Sequence, residues 1–224
     1  MGSDNLFHKR RRRPRSLARR KPKREPYAKV LIVCEGAKTE PNYFNGLKDH
    51  YELNSANVEI TGEGSSSPAG IVEYAKQRYR KEQKAGDSFD KVYCVFDQDR
   101  HETYKQALQA IADARPKAIF HAITSVPCFE YWLLLHFEYT TKLYYGGKTN
   151  SPCRQVLDDL KKHIPRYEKG ARNLFDELRE RLEYAKTNAP RSLDAARRTG
   201  TDNPSTKVHE LVDFLQKIKA NTKT

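Results

Sequence analysis

The chain has 224 residues, 37% of them hydrophobic, and a formal net charge of +13, enough for one substantial domain with an appendage and too little for a multi-domain machine. No run approaches the about 20 consecutive apolar residues of a membrane span, and the N-terminus lacks the apolar core of a secretion signal. A soluble, cytoplasmic protein is predicted, and the charge excess points to a polyanionic partner, DNA or RNA.

Residues 1–26 hold eleven Lys and Arg against two acids, a net +9 of the chain's +13. With Pro14, Pro22 and Pro26 and almost nothing apolar to bury, this segment predicts a disordered basic arm. Its candidate phosphate contacts are Arg10, Arg11, Arg12, Arg13, Arg19, Arg20 and Lys21. Contact with a phosphate backbone or a partner is the favoured reading, and a solvated tail of no specific use the alternative.

From Lys29 the pattern becomes that of an α/β core, placed at 27–138. Val30 to Cys34 is a continuous β-branched run, as a strand covered on both faces requires. A helix from about Glu40 to Glu52 follows, with Thr39 as N-cap and Pro41 in its first turn. Val58 to Thr61 predicts a second strand, Gly62 to Gly70 a Gly/Ser-rich loop, and Pro68 to about Ala85 a second helix. Val92 to Phe96 repeats the buried-strand pattern, His101 to Ala114 the helix, and Ala118 to Thr124 a fourth strand. Alternation of this kind predicts a doubly wound, mainly parallel sheet flanked by helices, with functional groups at the carboxyl ends of its strands.

Beyond Pro127 the chain reads as helical, with 139–224 a helical C-terminal extension packed on the core. Phe129 to Phe137 is a strongly apolar central segment. Ala171, Leu174, Phe175, Leu178, Leu182 and Ala185 share one helix face, and Val208, Leu211, Val212, Leu215 and Ile218 share another. Asn203-Pro204 reads as the start of the final helix, and the polar stretch Thr187 to Asp202 as a mobile loop. The cysteines Cys34, Cys94, Cys128 and Cys153 form no C-x-x-C pair, so neither a disulfide framework nor a zinc ribbon is indicated and reduced, mostly buried thiols are expected.

The chemistry collects where strands end. Glu35 follows the first buried strand and Glu40 opens the next helix. Asp97 and Asp99 follow the third strand, with His101 two residues on. Alternate residues of an extended segment point the same way, so Asp97 and Asp99 project together. Converging carboxylates repel at neutral pH unless a cation joins them, and hard oxygen ligands suit Mg²⁺ or Mn²⁺, which makes Glu35, Glu40, Asp97 and Asp99 the candidate ligands. Taken singly, each is equally readable as an N-cap or a surface acid.

Val33-Cys34-Glu35-Gly36 after one strand and Phe96-Asp97-Gln98-Asp99 after a later one resemble the Toprim domain of nucleases, primases and topoisomerases. Val33 to Phe44, Asp97 to His101, Pro127 to Phe137, Tyr167 to Gly170 and Asn203 to Leu211 more closely resemble the RloB-like family, found beside restriction and abortive-infection genes. The resemblance spans about residues 28 to 216. It implies a Toprim-like fold, Glu35 as general acid or base, magnesium on Asp97 and Asp99, and a separately encoded ATPase partner. Nuclease versions often place the second acid four residues after the first; here Glu40 stands five after Glu35.

The function expected is therefore metal-dependent hydrolysis of a nucleic-acid phosphodiester in defence against phage. The alternative is a non-catalytic nucleic-acid-binding accessory subunit. Topoisomerase chemistry needs a further domain, and primase chemistry a nucleotide site. Glu130, heading the apolar segment, is a further candidate acid or simply a carboxylate on its own helix dipole. Lys169 is a candidate for steadying transition-state charge or a solvated lysine, and His101 a metal neighbour, general base or cap-region residue. The Asp97 motif also resembles a haloacid-dehalogenase phosphatase, but that motif expects Thr where His101 stands. Gly146-Gly147-Lys148-Thr149 mimics a P-loop end without its first glycine. A homo-oligomer is compatible with all of these readings.

Overall fold

A computed structural model of the chain describes residues 24–64, 66–98, 102–147 and 150–220. The basic positions Arg10 to Lys21, and also Asp99 and His101, lie outside the described residues. Two residues near the end of the basic segment are tied to the domain. Arg24 pairs with Asp87 and Asp90, and the Glu25 amide donates to Asn57 Oδ1 at 2.8 Å.

Five strands form one sheet in the order β2-β1-β3-β4-β5. β1 (Val30–Cys34), β2 (Val58–Thr61), β3 (Lys91–Asp97) and β4 (Phe120–Val126) are parallel, and the two-residue β5 (Ser205–Thr206) runs antiparallel to β4. Register pairs Val33 with Cys94 and Cys34 with Val95, so the carboxyl ends of β1 and β3 lie side by side. The chain goes from β1 outward to β2 and then crosses back to β3. The winding direction therefore reverses between β1 and β3, where a parallel sheet opens a crevice.

Both faces of the sheet are covered, which explains why β1 and the middle of β3 read as unbroken apolar runs. Leu31, Val33, Val92, Cys94 and Phe96 face the core under α2 (Pro68–Lys84) and α3 (Tyr104–Ala112). Val30, Ile32, Cys34, Tyr93, Val95 and Ile123 face a larger core with α1 (Thr39–His50), α4 (Glu130–Leu134), α5 (Pro152–His163), α6 (Leu174–Leu178), α7 (Leu182–Arg198) and α8 (Val208–Lys217). Trp132, Tyr43 and Phe129 interlock edge-to-face at its centre. Each such burial contributes about 1.5–3 kcal/mol.

Four expectations about elements need correction. Thr187 to Asp202 is not a mobile loop: it lies largely within α7, which runs through Pro190 and buries Ala185, Asn188, Ala189, Ser192 and Ala196. Its inward face is made of small residues, so it lacks the large apolar stripe that marks a helix in sequence. The face running from Ala171 to Ala185 belongs not to one helix but to α6, a 3₁₀ turn at Arg179–Arg181 and the start of α7. Asn203-Pro204 does not open the last helix, because Ser205–Thr206 first pair with β4 and α8 begins at Val208. Asn203 instead clamps the Tyr144 backbone, accepting from its N–H and donating to its carbonyl. Thr39 is not an N-cap: Lys38 holds that position, and the Thr39 hydroxyl is engaged elsewhere.

Candidate active site

The crevice at the ends of β1 and β3 is a cleft of about 430 Å³ lined by Glu35, Gly36, Lys38, Thr39, Glu40, Asp97, Cys128, Phe129, Glu130, Cys153 and Lys169, among others. Of the residues singled out in the sequence, the structure thus brings together Glu35, Glu40, Asp97, Glu130 and Lys169. Asp99 and His101 cannot be placed among them, being outside the described residues.

Each acid arrives by a different element. Glu35 leaves β1 with its amide bonded to Val95 of β3, and its Oε2 accepts the Asp97 N–H at 2.9 Å. Asp97 is the last residue of β3, half-buried, and its carboxylate accepts the Phe129 N–H at the head of α4. Glu40, in the first turn of α1, is 7% exposed and folds back on Gly36. A Cβ on Gly36 would stand 2.2 Å from Glu40 Oε2, so only a glycine leaves room for that carboxylate. Glu130 is buried at the start of α4.

The Tyr167-Glu168-Lys169-Gly170 turn supplies the only counter-charge that the described residues give Glu130. Lys169 Nζ lies 3.0 Å from Glu130 Oε1, and Tyr167 Oη donates to the same oxygen at 3.3 Å. The turn is held on α1 by two bonds. Gly170 N–H donates to Thr39 Oγ1 at 3.0 Å, and Asn42 Nδ2 donates to the Gly170 carbonyl at 2.8 Å. Gly170 has a φ of +86°, and a Cβ there would meet the Lys38 side chain at 2.9 Å. Glycine is thus required both by the backbone and by the close approach.

Crowded carboxylates make this cleft electrostatically strained. Burial, followed by the charges of Glu130 and Glu35, pushes Glu40 above the usual carboxylate range. Burial, followed by Glu40, Glu130 and Glu35, pushes Asp97 up strongly. Opposing these, burial would lower Lys169, but the Glu130 carboxylate holds its ammonium charged. The N-terminus of α1 adds a partial positive charge at the same cleft.

Whether a divalent cation suits this site can be judged from the donor set. Hard oxygens on adjacent strand ends, repelling one another, are the chemistry that Mg²⁺ or Mn²⁺ relieves. Among the described residues, no group of three or more His, Cys, Asp or Glu side chains is drawn close enough to enclose an ion. The donors fit in kind, with Glu40 turned back onto Gly36 and Glu130 engaged by Lys169.

Four contributors escaped the sequence reading: Thr39 as a clamp, Cys128 and Cys153 as cleft wall, and Tyr167 as a donor to Glu130. Only Gly170, in a short polar turn, carried a sign that backbone and site come close there.

The fold and site define a doubly wound α/β protein with an acidic strand-end cleft. The RloB-like protein family matches the chain over residues 30–215, and the chain belongs to that family. No curated protein and no solved structure matches it. Among the described residues no helix is long and apolar enough to cross a membrane.

Proposed function

We propose that this chain is a Toprim-like phosphodiesterase that cleaves DNA or RNA with Mg²⁺ or Mn²⁺ in defence against phage, working with a separately encoded ATPase. The observation that carries this reading is the pairing of Glu35 with Asp97, Asp97 N–H to Glu35 Oε2 at 2.9 Å, across the switch point of the sheet, with Glu40 and Glu130 in the same cleft. Glu35 and Asp97, with Glu40 and Asp99, would hold the cation. With a divalent ion held by those carboxylates, the site would gain a Lewis acid for the phosphodiester and for water.

The chain's own groups do the rest. Glu35, half-buried and itself one of those ligands, takes up or returns the proton of the attacking water. Lys169, held by Glu130, presents a positive charge toward the scissile phosphate. Asp97 is positioned by the rigid strand β3 and by the Phe129 amide, so its geometry is set before substrate arrives. Because Glu40 and Asp97 hold their protons more tightly than ordinary carboxylates, cation binding must displace protons and strengthens as pH rises.

The test is cleavage of end-labelled single- and double-stranded DNA and RNA by the purified chain, with and without the ATPase and ATP, in Mg²⁺ and Mn²⁺. The expected result is cation-dependent cleavage, stronger with the ATPase, abolished by chelation and reduced at least about 100-fold by Asp97→Ala. Nucleic-acid binding without cleavage in every arm would assign the chain to the accessory class instead.

A further inference from the structure

The wall of the cleft contains two thiols that the chemistry above does not use. Cys128 lies in the link between β4 and α4, two residues before Glu130, and is buried. Cys153 is the second residue of α5 and is half-buried. Both line the acidic cleft. The neighbouring Cys153 thiol adds to the burial that pushes the Cys128 thiol up, and the Cys153 thiol donates to the carbonyl of Pro127, the residue before Cys128, at 3.7 Å. α4 and α5 pack against each other, so the elements that carry the sulfurs are already in contact.

The other two cysteines provide an internal contrast. Cys34 and Cys94 sit on paired strands, with Val33 opposite Cys94. Cys34 points into the core under α1 and Cys94 into the core under α2. Opposite faces of one sheet cannot be bridged without moving the backbone.

We propose that Cys128 and Cys153 are a reversible dithiol–disulfide site that joins the start of α5 to the loop carrying Glu130. The oxidant is a low-molecular-weight disulfide. The more accessible Cys153 sulfur attacks one sulfur of the oxidant and expels a thiolate, leaving a mixed disulfide on Cys153. Cys128 then gives up its proton and attacks the Cys153 sulfur, expelling the second thiolate. The two protons lost by Cys153 and Cys128 pass to the two departing thiolates, so two protein thiols are oxidised and one disulfide is reduced to two thiols. In the reduced state, burial pushes the Cys128 thiol well above its ordinary range, so Cys128 rests as a thiol, and the more accessible Cys153 is the sulfur that a soluble oxidant reaches first.

Oxidation removes the Cys153 bond to the Pro127 carbonyl and ties α5 covalently to the head of α4. The cleft wall beside Glu130 and Lys169 becomes fixed. This site stands independently of the proposed nuclease activity, since it requires only the two sulfurs and their approach.

The experiment treats the full purified chain with oxidised glutathione, quenches with an alkylating agent in denaturant so that the buried thiols also react, and measures intact mass and non-reduced peptides. The expected result is loss of two of the four alkylatable thiols, a linked peptide joining Cys128 to Cys153, full reversal by dithiothreitol, and amide exchange at the start of α5 slowed at least about tenfold. Cys153→Ser, at a half-buried position, should keep its remaining thiols alkylatable. Four alkylatable thiols after oxidation, a glutathione adduct on Cys153 that Cys128 never resolves, or a link involving Cys34, Cys94 or a second chain would each overturn the proposal.

Discussion

Gly36 and Gly62 lie close together at the cleft but protect different things. A Cβ on Gly36 meets the far end of the Glu40 side chain, whereas one on Gly62 meets backbone, at 2.4 Å from the Gly36 carbonyl and 2.8 Å from Ala37 Cα. Gly36→Ala should therefore cost less than about 1 kcal/mol of stability and yet weaken Mn²⁺ affinity by displacing Glu40, while Gly62→Ala should cost about 1–3 kcal/mol. Denaturant unfolding and a Mn²⁺ titration of both variants separate the effects. Glu40 carries a second prediction. Its folded-state pKa is raised above that of the unfolded chain, so the folded form binds its proton more tightly. Stability without metal falls as pH rises from the ordinary carboxylate range through the raised value. Glu40→Gln, with no charge to bury, should raise the thermal midpoint by a few degrees near pH 8 in chelator, and by nothing below about pH 4. At this scale Glu35, Glu40 and Asp97 were legible because an apolar strand run marks where the next polar residue must emerge. The Lys169–Glu130 pair was not, since it depends on a turn 39 residues away docking on Thr39, which no local pattern records.

Among the elements, β1 to β4 and the helices between them followed from periodicity, to within a residue or two for β1, β2 and α2. Both faces of the sheet are covered, so the apolar runs were continuous and their ends sharp. The C-terminal third was harder to read for reasons its residues show. Beyond Leu182, α7 buries alanines, an asparagine and a serine rather than leucines, and Ser192 Oγ bonds the Tyr131 hydroxyl at 2.6 Å and the Pro204 carbonyl at 3.0 Å. The helix is thus held by close approach and polar bonds, which hydropathy does not register. β5 is two residues long and exists because Thr206 and Ser125 join hydroxyls at 3.0 Å across the sheet edge. If α7 is a packed helix, Ala189→Leu should overfill its inner face and cost about 1–3 kcal/mol, while Arg197→Ala on its outer face should change stability by less than about 0.5 kcal/mol. Equal and negligible effects in thermal unfolding would instead indicate a loose segment.

Over the whole molecule, charge and topology divide the work. The sheet order brings Glu35 and Asp97 together at one switch point, while most of the net positive charge lies in residues 1–26, ahead of the first strand. An acidic cleft repels a polyanion, so the proposed function requires cationic groups elsewhere to bring a nucleic acid to it. Deleting residues 1–23, and leaving Arg24 on Asp87 and Asp90, should weaken nucleic-acid binding and flatten its salt dependence with little change in thermal midpoint. An unchanged slope of affinity against salt would remove the arm from nucleic-acid contact. The central claim, that strand-end carboxylates on β1 and β3 form one divalent-cation site, is tested most directly by anomalous diffraction from Mn²⁺-soaked crystals. The account predicts an anomalous peak bounded by Glu35 and Asp97 that is lost in Asp97→Ala; crystals saturated with Mn²⁺ and showing no peak in this cleft would contradict it.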